Sequence, residues 1–98
     1  METLEFEFPA GSRRLPHRAH VGVVASGNIE VLMEPRTASQ SKVRVRTHVH
    51  GYREEWRAIV QKFFERHDVA ADIEINDGGA SPPMVLLRLE QALEESQR

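Results

Sequence analysis

The sequence predicts an α+β fold, a mostly antiparallel sheet of four to five strands with two helices packed on one face. Segments whose apolar residues alternate with polar ones fill the first half of the chain. Two segments with helical periodicity follow, separated by one short strand. The predicted order is β-β-β-β-α-β-α, and such grouping of strands before helices is typical of α+β domains. No repeat or composition boundary interrupts residues 1–98, so we predict a single domain.

The first predicted strand has Leu4, Phe6 and Phe8 on one face and ends at Pro9 and Gly11. A polar, basic segment follows and is predicted to be a loop.

Two further strands are predicted at residues 20–25 and 29–34, joined by Ser26, Gly27 and Asn28. The first of them is apolar on both faces, which predicts a central strand, whereas the second alternates. Glycine and asparagine tolerate the positive φ angles of tight turns, so the connection is predicted to be a β-hairpin turn.

The fourth predicted strand alternates from Val43 to Val49 and closes at Gly51. Its outward residues form a basic face: Lys42, Arg44, Arg46, His48 and His50.

Two predicted helices complete the fold. The first places its apolar residues on one stripe, which is expected to supply much of the core: Trp56, Ile59, Val60, Phe63 and Phe64. A short strand over 72–76 and a turn over 77–80 follow. Ser81 is predicted to cap the second helix, with Pro82 at its first position. We expect this helix to fray over 94–98 and to bury Val85, Leu86, Leu89 and Leu93.

The charge balance is not that of a nucleic-acid binder or a membrane protein. Thirteen basic and fifteen acidic residues are interspersed, for a net charge of −2, and no basic block is present. The longest apolar runs are far shorter than the ~20 residues that span a bilayer. The first residues are acidic and alternating, unlike a signal or transit peptide. We therefore expect a cytoplasmic protein with no membrane and no nucleic-acid partner.

The absence of cysteine excludes disulfides, thiolate metal sites and cysteine nucleophiles. His48 and His50 could share one face of a strand, but no carboxylate at fixed spacing and no His-Glu-x-x-His motif completes a metal site. No Gly-x-Ser-x-Gly or other nucleophile motif is present. We predict no metal and no catalytic residue, and a chain of this size does not enclose a catalytic cavity.

The basic face of the fourth strand leaves alternatives open. Arg44 and Arg46, with Tyr52 beyond them, could dock an acidic partner, which would make the chain an unmodified docking or assembly module. The same residues could contact RNA, but paired stacking aromatics are missing, since Phe6 and Phe8 are assigned to the core. A plain solvated face explains them as well.

Ser26 is the side chain that a hairpin tip would expose. Most turn serines only form the turn, but an exposed hydroxyl beside Gly27 can enter the active site of another enzyme. The residues alone therefore leave covalent modification open. The turn over 77–80 brings backbone amides and a helix N-terminus together, a weak anion site, although a simple turn into a capped helix explains it better.

Several segments resemble one known family. Residues 21–32, which contain the turn Ala25–Asn28, resemble the modification site of the acyl carrier (delta) subunit of malonate decarboxylase. Residues 73–82, leading into 87–93, resemble the second signature of that family. The opening residues 4–10 and the first predicted helix agree in order and spacing. A more distant resemblance is to the acyl carrier (gamma) subunit of citrate lyase.

The resemblance implies a carrier role. In that family the serine of a Ser-Gly-Asp turn is joined by a phosphodiester to a 2'-(5''-phosphoribosyl)-3'-dephospho-coenzyme A group, whose thiol carries acetyl and malonyl units. Ser26 matches that serine, with Gly27 and Asn28 supporting the turn. The implied partners are the decarboxylase subunits, the acyl-carrier transferase subunit, the malonyl transferase and the prosthetic-group transferase. These partners hold the catalytic groups, so the resemblance implies a non-catalytic carrier subunit.

The chain departs from the family pattern in two places. Asn28 stands where the family has aspartate, so the turn keeps its geometry and loses a charge, which would weaken attachment if the transferase reads that charge. In the second signature Gly78 replaces an aromatic residue and Pro83 replaces a glycine. We therefore expect this loop to lack one side-chain anchor.

Overall fold

The computed structural model describes all residues from Met1 to Arg98. Its six strands are β1 (Glu2–Pro9), β2 (Arg13–Arg14), β3 (Ala19–Gly22), β4 (Ile29–Pro35), β5 (Gln40–Thr47) and β6 (Val69–Asp77). Its two helices are α1 (Arg53–Arg66) and α2 (Pro82–Ser96). Neither helix is long and apolar enough to cross a membrane.

The strands form one sheet in the order β1-β5-β6-β4-β3, and β2 pairs with Val69 and Ala70 at the start of β6. The β5–β6 and β2–β6 pairs are parallel, and the other three pairs are antiparallel. The predicted α+β fold, with a mostly antiparallel sheet and two helices, is confirmed. The sheet has six strands rather than four to five because β2 lies inside the segment predicted to be a loop.

β6 is the central strand of this sheet. Helix α1 connects β5 to β6 and returns the chain beside β5, as a parallel pair requires a crossover connection. β5 and β4 then flank β6 on its two sides. Every second residue of β6 is buried beneath the helices: Val69, Ala71, Ile73, Ile75 and Asp77.

The core lies between the two helices and one face of the sheet, and the helices contact each other. Along α1, Trp56, Val60 and Phe63 are buried, while Ile59 and Phe64 pack at the margin of the core. This confirms the apolar stripe that the sequence predicts. The same stripe accounts for the stability of α1, because burial of aromatic and branched side chains is the main favourable term in folding.

The strand predicted at residues 20–25 is wrong in two respects. β3 ends at Gly22, and Val23 and Val24 are more than half exposed, at 56% and 55%. β3 is also an edge strand, since it pairs only with β4. Gly22 has a φ of 75°, which turns the chain out of the sheet. The connection to β4 is therefore a loop over 23–28 and not a tight two- or three-residue hairpin.

The fourth predicted strand is confirmed as β5, but it stops at Thr47. His48, Val49 and His50 lie beyond the strand, so the predicted basic face loses both histidines. Thr47 Oγ1 accepts a hydrogen bond from the Val49 amide. This local bond takes the place of a bond from the Val49 amide to a neighbouring strand, so the strand ends.

The predicted end of α2 is also wrong. The helix continues to Ser96, whose side chain is fully buried and whose Oγ donates to the Leu93 carbonyl at 2.8 Å. Leu86, predicted to be buried, is only partly buried because it lies beside the stripe that α2 turns toward the sheet. The predicted Ser81 cap is confirmed, since its Oγ accepts from the Met84 amide at 3.4 Å.

On the open face of the sheet, Glu30 links three strands. Its carboxylate accepts from Asn76 Nδ2 and contacts His20 Nε2, each at 2.8 Å. The hydrogen bond from Asn76 is the main reason that the pKa of Glu30 lies below its ordinary value of 4.5. Desolvation of the carboxylate raises this pKa, and His20 lowers it further. A carboxyl with a lowered pKa stabilises the fold above its unfolded pKa and loses that contribution as the pH falls.

We therefore expect the free energy of unfolding to decrease below about pH 4.5 through Glu30, by less than about 1 kcal/mol. Glu30→Gln should flatten that part of the pH dependence, as measured by urea unfolding at a series of acidic pH values. Glu65→Gln, on the exposed side of α1, is the matched control. Identical pH profiles for both variants would contradict this role of Glu30.

Candidate functional site

Ser26 lies in a β-turn within the loop between β3 and β4, and its side chain is exposed. The turn is closed by the Asn28 amide, which donates to the Ala25 carbonyl at 2.9 Å. Gly27 occupies the third position with a φ of 73°, as in a type II turn, where that position requires a positive φ. The predicted exposure of Ser26 is confirmed, although in a longer loop than predicted.

A second turn, which follows β6, holds the Ser26 turn in place. The Gly27 amide donates to the Gly78 carbonyl at 3.0 Å, and the Gly78 amide donates to the Asn28 carbonyl at 2.9 Å. The two segments that resemble family signatures therefore meet as a pair of turns joined by backbone hydrogen bonds. This pairing therefore ties the loop of Ser26 to the end of β6, the central strand of the sheet.

The pairing depends on the absence of a side chain at Gly78. A Cβ at this position would lie 2.0 Å from the Ala25 carbonyl oxygen, so any side chain would push the two turns apart. Backbone hydrogen bonds hold this loop at Gly78, where the family has an aromatic side chain. At Gly27, by contrast, a Cβ would meet no atom within 4 Å, which leaves open space beside Ser26.

Asn28 joins the Ser26 turn to α2. Its Oδ1 accepts from the Ile29 amide at 2.8 Å and from Arg88 Nε at 3.2 Å. Asparagine thus supplies the oxygen that an aspartate would supply at this position, without the negative charge.

Asp77 stabilises the second turn from within the core. Its Oδ1 accepts from the amides of Gly79 and Ala80, at 3.0 and 2.9 Å, and its Oδ2 accepts from Thr47 Oγ1 at 2.9 Å. Only 5% of Asp77 is exposed, so these bonds replace its hydration. The same bonds occupy the amides that could have formed an anion site, and the simpler prediction of a turn into a capped helix is confirmed.

The exposed large apolar side chains lie at the end of the molecule that carries Ser26. The strand register places Thr47, Asp77 and Ile29 side by side at this end of the sheet. Tyr52 and Val49 line an apolar groove of about 350 Å³ that also reaches Asp77 and the second turn. The complete set of such side chains is Met1, Val23, Val24, Val49, Tyr52 and Leu87.

The other candidate residues do not form a site with Ser26. Arg44 and Arg46 lie on the outer face of β5, between two acidic strands, and Arg44 is aligned with Glu5 and lies 4.0 Å from Glu74. Carboxylates therefore flank Arg44, whereas Arg46 is aligned with the uncharged Thr3 and Asn76. No group of three or more histidine, aspartate or glutamate side chains converges as metal ligands.

The sequence analysis does not predict two features of the site. Arg88 contacts the Ser26 turn from 60 residues away in the chain, and no local pattern indicates such a contact. The close approach at Gly22, where a Cβ would lie 2.0 Å from the Ile29 carbonyl oxygen, has a weak sequence signal. A glycine inside an apolar strand pattern often marks a bend or a close backbone contact.

Known proteins are similar to this chain over nearly its whole length. Residues 16–96 match the family model described as malonate decarboxylase delta subunit (MdcD). A malonate decarboxylase acyl carrier protein of Azotobacter vinelandii is 49% identical over 96 residues, covering 97% of this chain and 96% of the relative. One of Pseudomonas fluorescens is 47% identical with the same coverage.

The fold is similar to a solved structure as well. A chain in the crystal structure of a Pseudomonas malonate decarboxylase hetero-tetramer in complex with malonate superposes with a TM-score of 0.89 at 45% identity. The similarity covers 97% of this chain and 98% of that chain. This chain belongs to the malonate decarboxylase delta subunit family of acyl carrier proteins.

Proposed function

We propose that this chain is the acyl carrier subunit of malonate decarboxylase and carries acetyl and malonyl thioesters on a group attached to Ser26. The proposed group is 2'-(5''-phosphoribosyl)-3'-dephospho-coenzyme A, joined to Ser26 Oγ by a phosphodiester. The observation that carries the proposal is an exposed serine on a turn whose backbone is bonded to the turn after the central strand.

The residues around Ser26 fit such a group. Gly27 leaves open space beside the hydroxyl, so a bulky substituent meets no side chain there. The attached group would supply the thiol for thioester chemistry, which a chain without cysteine does not contain. The chain itself would hold the attachment point still, since a fixed turn limits the volume that a tethered thiol explores.

The apolar side chains at the same end of the molecule support delivery of that thiol to other proteins. Exposed apolar clusters on small proteins are typical of interaction sites. Val23 and Val24 directly precede the Ser26 turn, so an enzyme that receives Ser26 would also contact them.

The proposed partners are those that the family resemblance implies. They are the decarboxylase subunits, the acyl-carrier transferase subunit, the malonyl transferase and the prosthetic-group transferase, in the cytoplasm. The hetero-tetrameric assembly of the similar Pseudomonas structure supports a place for this chain in a complex. The catalytic groups are proposed to lie on these partners and not on this chain.

Intact mass spectrometry tests the attachment. Protein co-expressed with the prosthetic-group transferase should gain the mass of the group, and protein expressed without the transferase should not. Because the chain has no cysteine, a thiol reagent should label one thiol per chain in the first sample and none in the second. Absence of both the mass gain and the thiol in the presence of active transferase would refute the proposal.

A further inference from the structure

Arg88 is the cation that contacts the Ser26 turn. It lies on α2, is partly buried, and donates from Nε to Asn28 Oδ1 at 3.2 Å and from one terminal nitrogen to Gln91 Oε1 at 2.7 Å. Both acceptors are neutral amide oxygens. A guanidinium has five N–H donors in a planar fork, so most of its donors remain available.

The charge of Arg88 has no carboxylate partner. Ion pairs in this structure join other arginines to carboxylates, with Arg36 and Asp72 at 2.8 Å as the closest arginine pair. Arg88 takes part in none, although it is partly buried and held in place. Arg88 has no carboxylate partner here because Asn28 is neutral. An aspartate at position 28 would place a negative charge next to Arg88 Nε.

Two residues, one at each end of the loop, lie next to the guanidinium of Arg88. Asn28 holds it from the end of the loop, and Gly22 lies against it at the start, since a Cβ on Gly22 would be 3.2 Å from Arg88 Nε. Ser26 lies between these two residues, two positions before Asn28 in the same β-turn. The four residues of a β-turn span less than ~7 Å. Ser26 thus belongs to the same tight turn as Asn28, the residue that the guanidinium contacts.

We propose that Arg88 binds the phosphodiester of the group attached to Ser26 and so orients that group at its point of attachment. This inference rests on the proposed function. A phosphodiester carries one negative charge, and arginine binds phosphate oxygens through paired, charge-assisted hydrogen bonds. Arg88 is a positioning residue in this role. Its ion pair fixes the first bonds of the group, while the thiol end stays mobile.

The first test uses the unaltered protein with and without the attached group. In ¹H–¹⁵N spectra, the Nε–Hε resonance of Arg88 should shift on attachment more than that of any other arginine. That resonance is identified by its loss in Arg88→Gln. If intact mass shows the group and the Arg88 resonance does not move, the inference is wrong while the proposed function stands.

The second test compares two variants that carry the group. The ³¹P resonance of the phosphodiester should shift in Arg88→Gln and should match the unaltered protein in Arg14→Gln, which removes an exposed arginine on β2. Attachment should raise the urea midpoint of unfolding of the unaltered protein, and Arg88→Gln should lose that increase. Equal ³¹P shifts and equal increases in all three proteins would overturn the inference. No mass gain in any of them would instead contradict the proposed function.

Discussion

Ser26→Ala is expected to abolish the mass gain completely when the chain is co-expressed with the prosthetic-group transferase. The substitution removes the only atom proposed to form the phosphodiester, and no neighbouring hydroxyl lies in the same turn. The fold should be unaffected, since the Ser26 side chain is exposed and the turn is built from backbone bonds and Gly27. We expect the free energy of unfolding to change by less than about 0.5 kcal/mol.

Ser39→Ala is the matched control for this experiment. Ser39 is also an exposed loop serine, and its side chain makes no hydrogen bond within the chain. The control should gain the full mass of the group. A mass gain in Ser26→Ala would show that another residue is modified.

Assays of decarboxylation and of complex assembly separate the carrier role from an unmodified docking module. If Ser26→Ala supports malonate decarboxylation while Arg44→Glu with Arg46→Glu disrupts the complex, the docking module is the correct function. The carrier proposal predicts loss of decarboxylation in Ser26→Ala with assembly unchanged.

Gly22→Ala is expected to have the largest effect on stability, a loss of about 3 kcal/mol in the free energy of unfolding. Two costs combine at this position. The φ of 75° is unfavourable for any residue with a Cβ, and that Cβ would lie 2.0 Å from the Ile29 carbonyl oxygen. Because the neighbour is backbone, β3 or the start of β4 would have to move. Urea unfolding of the variant and the unaltered protein measures the difference.

Gly51→Ala separates the two costs. Gly51 has a φ of 87°, but a Cβ there would meet no atom within 4 Å. This variant should therefore lose only about 1–2 kcal/mol, the cost of the left-handed backbone conformation. Equal losses for both variants would show that the contact with Ile29 carries no cost.

Local patterns were sufficient to predict most of the helices and strands. The alternation around Phe6 and the apolar stripe around Trp56 reflect burial of one face, and both were read correctly from the sequence. The errors lie where a tertiary contact decided the end of an element. Examples are β5, which ends where Thr47 bonds Asp77 of the neighbouring strand, and α2, which continues because Ser96 is buried.

The place of β3 in the sheet shows the same limit. An apolar run predicts burial, but it does not say which strands will lie beside it. β3 pairs with β4 alone, and its last apolar residues leave the sheet to form the loop that carries Ser26.

For the site, the sequence by itself determined the exposed serine, the glycine that the turn requires and the absence of a cysteine thiol. Only the tertiary structure showed that Gly27 and Asn28 are bonded to Gly78, and that Arg88 lies against the turn without a carboxylate partner. These contacts join residues 50 to 60 positions apart. They depend on the register of β4 against β6 and on the packing of α2, which are set by the whole core and not by local sequence.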